Sequence, residues 1–166
     1  MKPTMNKMAV LLLCALFSIS LLSCNNEDDD PCIDQSLTDF MVILMDEEEN
    51  NILEEEGFDE ESLNLFYLDE NDEEVDLDFE IKETSEDAKY LVSSKMSEIS
   101  LGGVTEFHVR INEETVSELT HKVTMSNSTG CKVYSYEALD SDGETLEKTS
   151  SGSPRPYILA VPTETE

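Results

Sequence analysis

The stretch Val75-Asp76-Leu77-Asp78-Phe79-Glu80-Ile81 alternates strictly between apolar and acidic side chains. Successive side chains of a β-strand point to opposite faces, so this alternation predicts a strand with one face toward a core and one toward water. Half-buried strands of this kind are typical of antiparallel sheets. The stretch therefore predicts an antiparallel sheet, around which the rest of the chain can be arranged.

Neighbouring segments extend the pattern in both directions. Residues 62–68 predict a strand that is joined to residues 75–81 by a turn at 69–74, which makes a hairpin. No window shows a helical period, and many short strands at nearly regular spacing favour an antiparallel sandwich. The expected fold is an all-β antiparallel sandwich of seven or eight short strands. Further strands are predicted at 37–45, 52–53, 96–101 (a weak edge strand), 104–111, 116–125, 131–139 and 144–148, with 157–161 as either tail or late edge strand.

The first 23 residues have the layout of an export signal. Lys2 and Lys7 precede an apolar run at 8–22, which is shorter than the roughly 20 apolar residues that a membrane-spanning helix needs. Leu21-Leu22-Ser23-Cys24 resembles the bacterial lipobox, in which a small residue precedes the cysteine that receives the lipid. The sequence therefore predicts a lipoprotein signal peptide at 1–23 and lipidation of Cys24. The alternative is an ordinary cleaved signal with an incidental cysteine.

An acidic segment follows the predicted lipidation site. Residues 25–30 read Asn-Asn-Glu-Asp-Asp-Asp and resemble the surface-export signal of Bacteroidetes-type lipoproteins. The resemblance implies an outer-membrane, lipid-anchored protein that faces the cell exterior. The simpler alternative is a flexible charged linker. On either interpretation, residues 24–31 can extend on the order of 25 Å and separate a domain from the lipid head groups.

The charge of the chain restricts its partners. There are 39 acidic and 10 basic residues, for a net charge of −29. Phosphates would be repelled, which excludes nucleic acid as a natural ligand. The charge also disfavours direct adhesion to anionic lipid, although weak, screening-type binding of divalent cations is expected. The acids are concentrated between Asp46 and Asp87, where regularly placed apolar residues separate them and predict order.

The order of these features resembles a known family. It runs from Cys24 and the acidic linker through Cys32 and a strand to the turn at 46–51, then Leu65-Phe66-Tyr67-Leu68 and, near the end, Cys131 and Asp142-Gly143. This looks like the small, functionally uncharacterised β-sandwich lipoproteins of Bacteroidetes, and the likeness covers about residues 24–148. The resemblance implies an immunoglobulin-like or transthyretin-like domain and supplies no activity. Glu49 stands where the first turn usually has glycine, so that turn is expected to differ.

Two groups of residues have metal-ligand character. Asp69, Asn71, Glu73 and Glu80 have the spacing of a calcium loop, but Glu74 occupies the place that needs glycine, and strands flank the loop instead of helices. His108 and His121 lie on strands joined by a short turn and, with Glu106, could ligate zinc in some registers. Acid-rich sequence produces such spacings by chance, and the strand register cannot be read from sequence. We therefore predict no specific metal site and no cofactor.

No catalytic arrangement stands out. Neither cysteine of the folded part lies in a nucleophile signature, and acidic pairs suited to glycoside hydrolysis cannot be singled out among so many acids. Tyr134 and Tyr136 share a strand face and are the pair to watch as a glycan platform, although core packing is the simpler explanation. We expect a non-enzymatic surface module with an accessory, structural or interaction role and a protein or glycan partner. The alternatives are a glycan- or calcium-binding module of a larger uptake system, or a hydrolase that uses surface carboxylates.

Two cysteines remain for the folded domain. Cys14 is removed with the signal and Cys24 takes the lipid, which leaves Cys32 and Cys131 in an exported chain where oxidation is permitted. In a sandwich they could meet at one end, and we predict a disulfide between them, with two buried thiols as the alternative. The predicted boundaries are 24–31 for the linker, 32–148 for the sandwich and 149–166 for a Ser/Pro-rich tail or edge strand.

Overall fold

The computed structural model describes residues 34–128 and 130–162, which form two facing sheets. The first sheet has the order β4-β5-β1-β9 and the second the order β3-β2-β6-β7-β8. Neighbouring strands are antiparallel except β1 and β9, which are parallel. The strands are β1 (Phe40–Met45), β2 (Leu63–Leu68), β3 (Glu74–Asp76), β4 (Glu80–Glu83), β5 (Lys89–Ser93), β6 (Glu106–Ile111), β7 (Glu114–Ser128), β8 (Cys131–Leu139) and β9 (Tyr157–Ala160).

The main core lies between the two sheets. Inward side chains from both sheets meet there and are almost fully buried, among them Val42 and Leu91 from the first sheet and Leu65, Phe107 and Val109 from the second. Burial of large apolar side chains is the main stabilising contribution to such a core. The predicted all-β sandwich is therefore confirmed, with nine strands in the described part of the chain instead of seven or eight.

The alternating stretch that led to this prediction does not form one strand. Glu74–Asp76 pairs with β2 in the second sheet, whereas Glu80–Glu83 pairs with β5 in the first. The chain crosses between the sheets at residues 77–79. Leu77 is buried in the core, and Phe79 and Ile81 pack against it from partly buried positions. The alternation of apolar and acidic residues still identified the inward side chains. A segment that crosses from one sheet to the other keeps one side toward the core, as a strand does.

A helix replaces the predicted edge strand at 96–101. Helix α1 spans Ser94–Leu101, and the Ser93 side chain accepts a hydrogen bond from the backbone N–H of Met96, which is an N-cap. The buried face of the helix carries Ser97 and Ser100, so the apolar period that marks a helix is interrupted. The prediction of a strand here was wrong because two of the inward residues are polar.

Ser100 forms hydrogen bonds with the backbone of β7. The last residue of β7 that pairs with β6 is Thr120, so the following backbone groups need other partners. The Ser100 hydroxyl donates to the carbonyl of His121 (2.7 Å) and accepts from the N–H of Val123 (2.9 Å). A buried serine thus satisfies two backbone groups that would be costly to leave unpaired.

Two further short predictions were wrong. Residues 52 and 53 begin a 3-10 helix, Ile52–Glu54, which Asn51 caps, and a second 3-10 helix spans Glu60–Ser62. Residues 144–148 form no strand and contribute only isolated bridges. At the C-terminal end, the edge-strand alternative is correct: β9 pairs with β1, so the sheet extends beyond residue 148.

Four tight turns share one construction. A side-chain oxygen at the first position accepts hydrogen bonds from the backbone N–H groups two and four residues later, and the residue three positions later has a positive φ. This geometry suits Asx- and ST-type turns. Glycine occupies the positive-φ position in only one of the four. The first positions are Asp46, Asp69, Thr84 and Asp140, and the positive-φ positions are Glu49, Asp72, Asp87 and Gly143.

Candidate binding site

A small pocket opens where the edges of the two sheets meet. Strands β1 and β9 of the first sheet and β7 and β8 of the second contribute side chains to it, and the segment before β9 supplies its rim. Its volume is about 130 Å³. A pocket of this size accommodates a single ring or head group.

A row of four aromatic rings lines this pocket. Tyr157 stacks on Phe40 with ring centroids 5.8 Å apart, and Phe40 contacts His121 at 4.7 Å. His121 in turn stacks on Tyr136 at 6.3 Å. Phe40 and His121 are buried, whereas Tyr136 and Tyr157 are half-buried and keep part of their rings accessible. The row therefore combines a rigid floor with two walls that a ligand can contact.

His121 is the most deeply buried titratable side chain of the site. It is 1% exposed, and its Nε2 lies 3.3 Å from the hydroxyl of Ser97. Burial lowers the pKa of His121 to about 4, since the charged ring would lose its hydration. The backbone carbonyl of Glu137 opposes that shift, although Nδ1 has no partner in good hydrogen-bonding geometry. At neutral pH the pocket floor is thus an uncharged imidazole with an unsatisfied nitrogen.

Two cations stand at the rim. The Lys148 ammonium lies 4.5 Å from the centre of the Tyr157 ring, and the Arg155 Nε donates to the carbonyl of Thr149 at 2.8 Å. Neither side chain forms an ion pair with an Asp or Glu within residues 34–128 and 130–162, whereas Lys82, Lys95 and Arg110 do. Asp39 also lies at the rim. With His121 neutral, the lining carries two positive charges and one negative charge.

The histidines do not form a zinc site. In the observed register His108 pairs with Glu118, and its ring stacks on Phe66 on the outer side of the sheet, while His121 points into the sandwich. Side chains of odd and even positions on these strands lie on opposite faces. The register therefore does not bring together the two histidines that the sequence analysis considered as zinc ligands. His108 lies 3.7 Å from a carboxylate oxygen of Glu118 instead.

The calcium-loop spacing has another explanation. Asp69 caps its own turn through the N–H groups of Asn71 and Glu73, which lowers the pKa of Asp69, chiefly through the bond from Glu73. Glu80 lies on β4 in the other sheet, where its carboxylate pairs with Lys82 at 2.8 Å. Asp46 likewise caps a turn, and the side chain and backbone of Asn50 lower its pKa. Within the described ranges, no group of three or more His, Cys, Asp or Glu side chains is placed to hold a metal ion.

The predicted modification sites fall mostly outside the described residues. Cys24 and Cys32 lie there, as does all of the predicted signal peptide. Cys131 is the first residue of β8, as predicted, and its neighbour Lys132 is bonded to the beginning of the described chain. The Lys132 N–H donates to the Asp34 carboxylate (2.9 Å), and its carbonyl accepts from the N–H of Gln35 (3.1 Å).

Sequence reasoning found only part of the pocket. Tyr136 was singled out for its strand face, and it does line the pocket, while Tyr134 is half-buried on the same strand. Arg155 and Tyr157 lie in the segment predicted as a tail or late edge strand, and Lys148 ends the predicted strand at 144–148, which the structure does not form. The available signal was compositional: residues 148–157 hold two of the chain's 10 basic residues.

Comparisons with known proteins found no relative of this chain. In the part of the chain that the structure describes, no helix is long and apolar enough to cross a membrane. No protein-family model, curated protein or solved structure matches this chain.

Proposed function

We propose that this chain is a lipid-anchored surface lipoprotein of the outer membrane whose β-sandwich has a non-enzymatic interaction role. The single observation that carries the proposal is the position of Cys24, directly at the end of the apolar run and directly before six polar or acidic residues. Acyl chains contribute about 0.8 kcal/mol per buried methylene, and stable anchoring needs more than one chain. The anchor would hold the sandwich at the membrane surface through residues 24–31.

The charge of the domain supports an outward-facing, soluble module. A net charge of −29 keeps a domain in solution and away from anionic head groups, and the acidic turns are capped by their own side chains. Asp46, Asp69 and Asp140 are thus engaged in holding turns and are not free to act as a pair of hydrolytic carboxylates. A glycan- or calcium-binding module of a larger surface uptake system is the alternative.

We also propose the disulfide between Cys32 and Cys131. Asp34 follows Cys32 by two positions and is bonded to Lys132, the residue directly after Cys131. Gln35 continues along the same edge and accepts a hydrogen bond from the N–H of Tyr134 through its side chain (3.3 Å). The segments that directly follow the two cysteines are therefore bonded to each other, and this neighbourhood supports the proposed bridge.

The anchor is tested by acyl labelling and membrane fractionation in a host that exports lipoproteins. Cys24→Ala should abolish incorporation of labelled palmitate and release the protein from membranes. Cys14→Ala, which changes a cysteine within the apolar run, is the matched control and should retain both. Labelling and membrane retention of Cys24→Ala would overturn the proposal.

The orientation is tested separately. Protease added to intact cells should digest the sandwich if it faces the exterior. Replacing Glu27, Asp28, Asp29 and Asp30 by their amides should protect the protein from that protease without changing palmitate incorporation. Protection of the unmodified protein in intact cells would contradict the outward orientation.

A further inference from the structure

We infer that the pocket between β9 and β8 is a binding site for a small carboxylate with a flat or aromatic body. The inference assigns a class of ligand to the proposed interaction role. It rests on the proposed function only for the place where the protein would encounter that ligand. Three features of the described residues carry it: a net positive charge that remains after Asp39 is counted, two rim cations that form no ion pair among the described residues, and a row of aromatic rings.

The charge of the pocket is opposite to that of the chain. A broad groove near Asp140 is lined by acids and no basic residue, and the pocket beside Asp69 has the same bias. A third pocket, beside Tyr90, has two lysines and two glutamates. Of these four pockets, the one with Lys148 and Arg155 is alone in carrying more cations than carboxylates. In a chain that otherwise repels anions, a carboxylate would collect at this position.

The two cations are suited to a carboxylate. The Arg155 guanidinium uses Nε on the carbonyl of Thr149, which fixes the side chain and leaves its two terminal nitrogens without protein hydrogen bonds among the described residues. A guanidinium can bind a carboxylate with two parallel hydrogen bonds. Lys148 adds a second charge and is held over the Tyr157 ring, so both donors are oriented before a ligand arrives.

The rings determine the rest of the ligand. Tyr136 and Tyr157 both line the volume of about 130 Å³. Because Phe40 and the Lys148 ammonium lie against the Tyr157 ring, a flat group would meet that ring at its edge. Aromatic pairs prefer offset or edge contacts with ring centroids about 4.5–7 Å apart, the range already seen along the row. His121 lines the floor of the pocket, so a bound ligand would change the surroundings of its ring.

The test is a titration of the purified full-length protein in detergent micelles, observed by NMR of the histidine Cε1–H signals. The chain has two histidines, so His108 on the outer face of the sheet is an internal control. Benzoate is the probe, and benzamide is its neutral analogue. We expect benzoate to shift the His121 signal saturably and leave the His108 signal unchanged, while benzamide binds at least about tenfold more weakly, because hydrogen bonds to charged groups are the stronger ones.

Variants identify the groups responsible. Arg155→Gln and Lys148→Gln should each weaken benzoate binding by about tenfold, the loss of one charge-assisted contact. Lys122→Gln is the matched control: Lys122 is next to His121 on β7, is exposed, and lies on the opposite face of the strand. Equal binding of benzoate and benzamide, unchanged binding by both rim variants, or the absence of any saturable His121 shift would overturn the inference. Because the titration needs no membrane, its failure would leave anchoring at Cys24 intact, and failure of acyl labelling would leave the titration intact.

Discussion

Replacing Glu49 by glycine should stabilise the protein. Glu49 has φ 64°, as Asp72 (60°) and Asp87 (64°) do at the same position of their turns, and Gly143 occupies that position in the fourth. A left-handed backbone costs an L-residue about 1–2 kcal/mol, whereas the extra freedom of glycine in the unfolded chain costs about 0.5–1 kcal/mol. The expected net gain is therefore about 0.5–1 kcal/mol at each of the three positions.

Charge must be separated from backbone conformation in this experiment. Glu49→Gly also removes one negative charge from an acidic chain, so Glu49→Gln is the control, because it removes the charge and keeps an L-side chain. Gly143→Ala is the reverse change. A Cβ at Gly143 would meet no atom within 4 Å, so its expected loss of about 0.5–1 kcal/mol comes from φ 80° alone.

The assay is urea unfolding followed by far-UV circular dichroism. The glycine variants at positions 49, 72 and 87 share no hydrogen-bond partner between their turns, so their effects should add to about 2 kcal/mol in the triple variant. That gain corresponds to a rise in Tm of roughly 4–8 °C. The reasoning is refuted if Glu49→Gly is no more stable than Glu49→Gln and Gly143→Ala is as stable as the unmodified protein.

Three further predictions concern cysteine, histidine and calcium. The free energy of unfolding should fall by similar amounts, up to about 4.7 kcal/mol, in Cys32→Ser, Cys131→Ser and the double variant, because each breaks the one bond that closes a loop of nearly a hundred residues. Two labelled thiols in the unfolded, unreduced chain would contradict the disulfide. The pKa of His121 is about 4 in the folded chain and about 6.5 in the unfolded chain. The neutral ring therefore makes its full contribution to the free energy of unfolding above pH 6.5, and that contribution falls by about 3 kcal/mol as the pH drops to 4. His121→Gln should reduce the slope of unfolding free energy between pH 7 and 5, whereas His108→Gln should keep it. Calcium and magnesium at millimolar concentration should raise Tm gradually and almost equally, since Asp69 is already used by its turn; a saturable, calcium-selective rise would indicate a real site.

Sequence alone predicted the fold class and most inward positions. Phe107, Val109, Leu119 and Val123 are buried as their alternation indicates, and β8 has the predicted bounds. Met125 continues that alternation but is 45% exposed, because β7 extends beyond the end of β6. Alternation reports which side of a strand is apolar and cannot report where the partner strand ends.

The remaining errors have a common physical cause. Ser97 and Ser100 face inward because β7 needs hydrogen-bond partners there, a requirement that depends on tertiary structure and that hydropathy does not record. The pocket likewise depends on β9 bringing Tyr157 next to Phe40, a pairing between opposite ends of the domain. Local sequence predicted the elements, whereas the site arises from contacts between distant parts of the chain.

The parallel pairing of β1 with β9 also determines when the domain can form. Val42 is in register with Tyr157 and Leu44 with Leu159, so the first strand to be synthesised is completed by the last. Contacts between such distant residues require closure of a long loop and slow the folding of a chain. Until β9 has been translated, β1 has one unpaired edge in its sheet and Phe40 lacks the Tyr157 ring. A nascent chain in which β9 is not yet available therefore keeps an incomplete first sheet and an open edge on β1 until the two ends of the described domain meet.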